Sequence, residues 1–282
     1  MHNISLFKKI KQAKIIKEPF VHVCIENALD DEVYQNLKKN FPNQSLFTDK
    51  KKSKIFNNQR FDIYNDNFEK LKNLNITISN FINYHSSIQF WNEIQELFGH
   101  EILKINNKHF ESLDDLKALK IRKYREESGK KDLFLHCSVS INTAVNHENS
   151  VRSIHLDNLN KMYAGLYYLR DDEDDSDGGN LLLYKWNKYL SEREKIKIIE
   201  QDNFKNHCEI FNEIQYRPNT FIFFLNNLDA LHGVSMRGIT KFSRNFFYLS
   251  GIYGTNLFNI NQYKLSLLNK MQLKFKKVLF DK

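Results

Sequence analysis

His155 and Asp157, two residues apart, are followed 77 residues later by His232 and then by Arg244. Two imidazoles and one carboxylate are the ligand set that holds ferrous iron on one triangular face and leaves the opposite positions open. An arginine shortly after the second histidine adds a fixed cation for a dianionic co-substrate. The chemistry such a set supports is activation of oxygen beside a bound organic molecule.

The short motif does not establish this alone. With 10 His and 34 Asp+Glu in 282 residues, chance supplies roughly one histidine with an acid two places on, and the chain has three such pairs. In an extended strand, residues i and i+2 share a face and reach one metal. His109/Glu111 instead leads into Ser112-Leu113-Asp114-Asp115, which reads as the capped start of a helix. His207/Glu209 lies only 25 residues before His232, too few for a sheet to leave and return several times. Strand-like segments fill the interval after His155, so this pair fits a barrel-like site.

The elements that must position these residues change character along the chain. Residues 1–17 are Lys-rich with Ile and Leu at loosely helical spacing. Phe20 to Ile25 reads as a strand, and Asp30 opens an amphipathic helix through about Phe41, stopped by Pro42. Residues 43–67 are polar and ambiguous. Apolar residues at helical period occupy 68–100 and end at Gly99. From about residue 121 the period becomes two: Leu133, Leu135, Cys137, Val139 and Ile141 alternate with His136, Ser138, Ser140 and Asn142. Further strands are expected at Met162 to Leu169, Asn180 to Trp186, Ile210 to Tyr216, Thr220 to Leu225, Leu231 to Met236 and Arg244 to Ile252. The acidic run 171–177 reads as a solvated hairpin loop, since it lacks the ligand spacing of a calcium loop. Residues 187–208 form a charged, partly helical insertion, and 261–282 a basic amphipathic helix docked on the body. The resulting division is a mainly helical support region over 1–130, a β core over 131–260 and the C-terminal helix over 261–282.

Composition excludes several classes. The formal charge of +8 comes from scattered residues, 33 Lys against 9 Arg, beside 34 Asn; this is compositional bias rather than a nucleic-acid surface. Cys24, Cys137 and Cys208 show no paired spacing, so neither a disulfide framework nor a thiolate zinc site is expected. No apolar run reaches membrane-spanning length and no signal peptide opens the chain, which leads to an expectation of a soluble, cytoplasmic protein. Oligomeric state is not legible.

The order of blocks carries a more specific resemblance. His155-Leu156-Asp157-Asn158, Gly165-Leu166-Tyr167-Tyr168-Leu169, the acidic loop, Gly178-Gly179-Asn180-Leu181, Asn219 to Phe224, Leu231-His232-Gly233-Val234 and Ser243-Arg244 together resemble the iron(II)/2-oxoglutarate dioxygenases, most nearly the prolyl-hydroxylase-like branch. The likeness covers residues 133–253. It implies an α+β protein with a double-stranded β-helix, the cupin-like jelly roll, supported by N-terminal helices. It also implies Fe(II), 2-oxoglutarate and O2 as cofactor and co-substrates. His155, Asp157 and His232 would be the metal ligands, Arg244 the anchor of the far carboxylate of 2-oxoglutarate, and Tyr168 its helper. Arg237 rivals Arg244, whose spacing from His232 requires a loop insertion around Gly238. Asn142 is a candidate for the keto-acid end, and Arg152 for the prime substrate. The expected reaction is hydroxylation of an unactivated carbon with release of succinate and carbon dioxide, on a small molecule, sugar or peptide. A non-catalytic jelly-roll binding protein and a zinc hydrolase on the same ligands are the rivals. Recognition of the prime substrate is expected from residues 187–208 and 43–67. Metal affinity is expected to fall below about pH 6.5, where free imidazoles protonate.

Overall fold

The computed structural model describes residues 4–47, 55–64, 72–122 and 132–258; the basic segment 261–282 lies outside them. The alternating pattern of the second half becomes two antiparallel-rich sheets. Strands β1 (His22–Ile25), β2 (Arg60–Ile63), β3 (Lys120–Arg122), β4 (Asp132–Asn142), β5 (Lys161–Tyr168), β6 (Leu181–Trp186), β7 (Cys208–Ile214), β8 (Thr220–Leu225), β9 (His232–Val234) and β10 (Arg244–Tyr253) alternate with helices in the first half. The large sheet runs β1-β8-β5-β10-β4-β2, with β3 added parallel to β4, and the small sheet runs β7-β6-β9. The protein is a mixed α+β fold dominated by sheet.

The two faces of the large sheet bury different partners. On one face, Leu135, Cys137 and Val139 of β4, Tyr163 and Tyr167 of β5, Phe221 and Phe223 of β8 and Phe247 of β10 pack against helices. These helices are α3 (Ile76–His85) and α4 (Ile88–Ile105), which contribute Phe81, Phe90, Trp91, Ile94 and Phe98. The aromatic stripes at helical spacing are therefore core. The other face, through Ala164, Leu166, Tyr168, Ile222, Phe224 and Phe246, meets Leu181, Leu183 and Ile214 of the small sheet. Period-two alternation sorts side chains to the two faces because successive Cβ atoms point oppositely.

Several expectations are corrected. The helical segment 68–100 is broken at Ser86-Ser87, where Ser87 caps α4, and α4 continues through Gly99 to Ile105. Helix α1 (Asp31–Lys39) ends before Phe41, and among the described residues of 1–17 the helical structure is a single short turn at Ile10–Gln12. Within the ambiguous stretch 43–67 lie a four-residue helix, α2 (Gln44–Phe47), and β2, which pairs with β4. Ser112 caps α5 (Leu113–Lys117) in a capping box with Asp115, as its spacing implies. The acidic run is not a hairpin, since β5 and β6 belong to different sheets. Nor is it wholly solvated, because Asp174 is buried. The sharp path there requires Gly178, at φ +74°, whose added Cβ would sit 1.7 Å from the Met236 carbonyl oxygen. The insertion 187–208 contains α6 (Glu192–Glu200), and Leu190, Ile198 and Phe204 pack on Leu231, the residue before His232.

Candidate functional site

His155 and His232 meet through a backbone bridge, each N–H donating to the other's carbonyl at 2.9 and 3.0 Å. Their ring centroids are 4.2 Å apart. One ligand atom from each of His155, Asp157 and His232 falls within 4.8 Å of the others. This is the only such group of three or more His, Cys, Asp or Glu among the described residues. The rival pairs go elsewhere: His109 Nε2 lies 3.1 Å from the Leu257 carbonyl, and Glu209 pairs with Lys185 at 2.9 Å.

Each imidazole is oriented by its own chain. His155 Nδ1 is 2.9 Å from the Ser153 carbonyl and His232 Nδ1 is 2.9 Å from the Ala230 carbonyl. A carbonyl only accepts, so both Nδ1 atoms carry the proton and each neutral ring leaves the Nε2 lone pair for a metal. Burial lowers the pKa of both rings, and the charges of His232 and Arg152 add to the effect at His155. At Asp157 burial pushes upward, but His232 when it carries a proton, and the Lys161 charge and hydrogen bond, hold the carboxyl well below its usual range. The donor set is thus neutral, neutral and anionic near neutral pH, which suits a divalent ion. Sequence reasoning passed over Lys161: its Nζ is 2.9 Å from Asp157 Oδ1 and 2.6 Å from the Tyr248 hydroxyl. Its position four residues after Asp157 was the available signal.

The structure separates the two arginines. Arg237 is 1% exposed, and its guanidinium donates to Asp174 at 2.8 Å and to Ser176 Oγ at 3.2 Å. Arg170 also reaches Asp174. The acidic loop has a buried task, to neutralise these cations. Arg244 is 3% exposed, and among the described residues its one side-chain hydrogen bond runs from Nη2 to the Tyr168 hydroxyl at 2.9 Å. It has no carboxylate partner among the described residues, and its Nε is buried without a hydrogen bond. The guanidinium rests against the rings of Tyr168, Tyr216 and Phe246 at 4.8, 5.0 and 5.2 Å. Burial raises the Tyr168 pKa, so its hydroxyl keeps a proton that can be donated outward.

A cavity of about 350 Å³ joins the His155–Asp157–His232 cluster to Arg244; Tyr168, fully buried behind Arg244, is not among its lining residues. Its walls include the three ligands, Arg244, Asn142, Lys161 and Arg152, with Leu166, Leu181, Phe224 and Phe246 as apolar surface. Asn142 is fully buried, stands opposite Arg244 in the strand register, and neither of its side-chain polar atoms has a hydrogen bond. Arg60, Asp62 and Tyr64, from the stretch expected to recognise substrate, line the same cavity. The insertion 187–208 contributes none of its lining; its apolar residues support β9 instead.

The sequence matches no family model and no curated protein. Solved structures similar to it include a prolyl 4-hydroxylase from Phytophthora capsici, at 10% identity and a TM-score of 0.46, covering 89% of this chain and 65% of that one. The chain thus spans 65% of that enzyme's length. A prolyl hydroxylase from Trichoplax adhaerens, in complex with a hypoxia inducible factor peptide fragment, is 13% identical with a TM-score of 0.40, covering 82% and 83%. A viral collagen prolyl hydroxylase from Paramecium Bursaria Chlorella virus-1 is 9% identical with a TM-score of 0.37, covering 82% and 95%. Prolyl hydroxylases and 2-oxoglutarate/iron(II) oxygenases are therefore among the structural neighbours.

Proposed function

We propose that this protein is a non-haem iron(II)/2-oxoglutarate-dependent oxygenase that hydroxylates an unactivated carbon, built on a double-stranded β-helix formed by its two sheets. The observation that carries the reading is the combination, in one cavity, of the His155–Asp157–His232 cluster with a buried arginine that lacks a carboxylate among the described residues. A buried guanidinium without an anion is unfavourable unless a ligand supplies one. A zinc hydrolase would need the same three ligands but would leave Arg244, Tyr168 and the bare amide of Asn142 without a task.

The residues present fit the implied groups. His155 and His232 would bind iron through Nε2, each held by its Nδ1–H bond, and Asp157 would bind through carboxylate oxygen while Lys161 fixes the carboxylate. Bound iron and 2-oxoglutarate supply the oxidation of a substrate C–H bond by O2, with succinate and carbon dioxide released. Arg244 would take the far carboxylate, and Tyr168, which accepts from Arg244, would donate its own hydrogen to the same group. Asn142 stands beside Arg244, so we assign its amide to that end of the co-substrate rather than to the keto-acid end. Leu166, Leu181, Phe224 and Phe246 keep the cavity apolar where water would compete.

Anaerobic protein given iron(II) and 2-oxoglutarate should develop the weak visible charge-transfer absorption of the chelate, and His232→Ala should abolish it. Absence of the band in wild-type protein that binds the metal, or full turnover by His232→Ala, would sink the reading.

A further inference from the structure

The charged groups of the cavity do not balance. Four cations, Arg60, Arg152, Lys161 and Arg244, and two carboxylates, Asp62 and Asp157, line it. Under the proposed function, iron(II) and the 2-oxoglutarate dianion cancel one another, so two positive charges remain. Three of the four cations have a partner once the site is loaded. Arg60 Nε sits 3.0 and 3.2 Å from the two Asp62 oxygens, Lys161 holds Asp157, and Arg244 faces the co-substrate.

Arg152 is the exception. Its side chain is exposed, lines the cavity, and has no hydrogen bond or ion pair among the described residues. Its backbone, however, is fixed: its carbonyl accepts from Val234 N–H at 2.9 Å and from Ser150 Oγ at 3.1 Å, and its N–H donates to Ser150 Oγ at 3.3 Å. The residue lines the same cavity as His155 and His232. An exposed, unpaired guanidinium that lines the cavity from a fixed stretch of backbone is positioned for an anion that arrives from solvent.

We infer that the prime substrate carries an anionic group, a carboxylate or a phosphate, which Arg152 binds while the carbon to be oxidised lies toward His155 and His232. The inference rests on the oxygenase reading, because that reading assigns Arg244 to the co-substrate and leaves Arg152 for the substrate. Arg152 is then a specificity-determining residue: it selects substrates by charge and fixes which carbon faces the metal.

The test uses the 282-residue chain loaded with Mn(II), a redox-silent paramagnetic stand-in, and saturated with 2-oxoglutarate, whose binding is first measured calorimetrically. Acetate, methylphosphonate and neutral acetamide serve as probes, read by Mn(II)-enhanced relaxation of their methyl protons. Saturable enhancement is expected for at least one anion, at least tenfold tighter than for acetamide. Which anion binds tighter distinguishes a carboxylate from a phosphate. Arg152→Gln should weaken the anion at least fivefold, and Arg152→Lys should recover part of the loss, with 2-oxoglutarate affinity unchanged in both. Equal binding of acetamide and the anions, no saturable binding of either anion, or an unchanged anion affinity in Arg152→Gln overturns the substrate class and leaves the oxygenase reading intact. Failure of 2-oxoglutarate to bind the Mn(II) protein overturns both.

Discussion

Replacing each of the two buried arginines by methionine should separate co-substrate binding from stability. Arg237→Met removes the partner of Asp174, whose side chain is 0% exposed. Breaking a buried ion pair costs about 3–5 kcal/mol because the survivor stays buried and charged. Asp174 keeps Ser176 Oγ at 2.6 Å and Arg170 at 3.5 Å, so the lower end, about 3 kcal/mol, is expected. For a chain of this size that corresponds to a fall in Tm of roughly 6–12 °C. Arg244→Met removes a guanidinium with no carboxylate, and methionine retains apolar volume among Tyr168, Tyr216 and Phe246. Stability should change by less than about 1 kcal/mol, since a lone buried charge leaves with its single hydrogen bond. Its effect appears on 2-oxoglutarate: leaving the far carboxylate unpaired costs about 3–5 kcal/mol, or roughly a hundred- to several-thousandfold in Kd. Calorimetric titration of the Mn(II) protein with 2-oxoglutarate, together with thermal melts, reads both quantities. If Arg237→Met lost the co-substrate while melting normally, and Arg244→Met kept it, the assignment of the two arginines would be reversed.

Three further outcomes follow from the same geometry. Because burial lowers both imidazole pKa values, protons begin to compete for the Nε2 atoms only below the ordinary value of about 6.5. Metal affinity should therefore stay flat from pH 7.5 to 6.5 and decline only at lower pH; a tenfold loss already between pH 7.5 and 6.5 in a calorimetric series contradicts this. Gly233→Ala would place a Cβ 3.0 Å from the Ile154 nitrogen and 3.2 Å from the Ser153 carbonyl oxygen, both backbone atoms. It should force the His155 segment away from β9, costing about 1–3 kcal/mol of stability and about tenfold or more in metal affinity; unchanged metal binding would show that the bridge tolerates the methyl. Ile198→Asp introduces a charge among Leu190, Phe204 and Leu231, and a loss above about 2 kcal/mol is expected. Substrate-free decarboxylation of 2-oxoglutarate and its substrate-stimulated rate should fall together; loss of the stimulated rate alone would return 187–208 to a recognition role.

The sequence disclosed most where local pattern and tertiary environment agree. Thr220 to Leu225 is a strand with the bounds its apolar run implies, because both its faces are covered: Phe221 and Phe223 by helices, Ile222 and Phe224 by the small sheet. The histidine–acid pair at 155–157 was distinguishable from the other two because the 77 residues after His155 hold strands β5 to β8 before β9 returns His232 to bridge with it. Less was legible where the partner is distant. Nothing local in residues 60–63 announces a strand, since β2 exists by pairing with β4, and that pairing brings Arg60 and Asp62 to the cavity. The acidic run looked solvated because a carboxylate is buried only when cations meet it, and Arg237 lies 63 residues further on. The insertion 187–208 looked like a recognition loop because its charges are conspicuous and its three apolar anchors are spaced too widely to form a pattern.

The inner face of the large sheet explains why the site gathers where it does. Across β2, β4 and β10, Arg60, Asn142 and Arg244 stand side by side; the next row runs Asp62, Ser140, Phe246, Tyr168 and Thr220 through β5 to β8. Polarity therefore falls from the β2–β4 side toward β5 and β8, where Leu166, Ile222 and Phe224 meet the small sheet. The His155–Asp157–His232 cluster lies where β9 of that small sheet bridges to His155, so a ligand in the cavity has charged groups on one side and apolar wall on the other. Arg60 and Lys161 carry their own carboxylates, whereas Arg244 is held by one hydroxyl and three aromatic faces. A fold that keeps such a cation without an anion leaves binding energy for the ligand that brings one. On this reading 2-oxoglutarate should stabilise the protein in proportion to the logarithm of its concentration above Kd, and Arg244→Met should remove that stabilisation while sparing the fold.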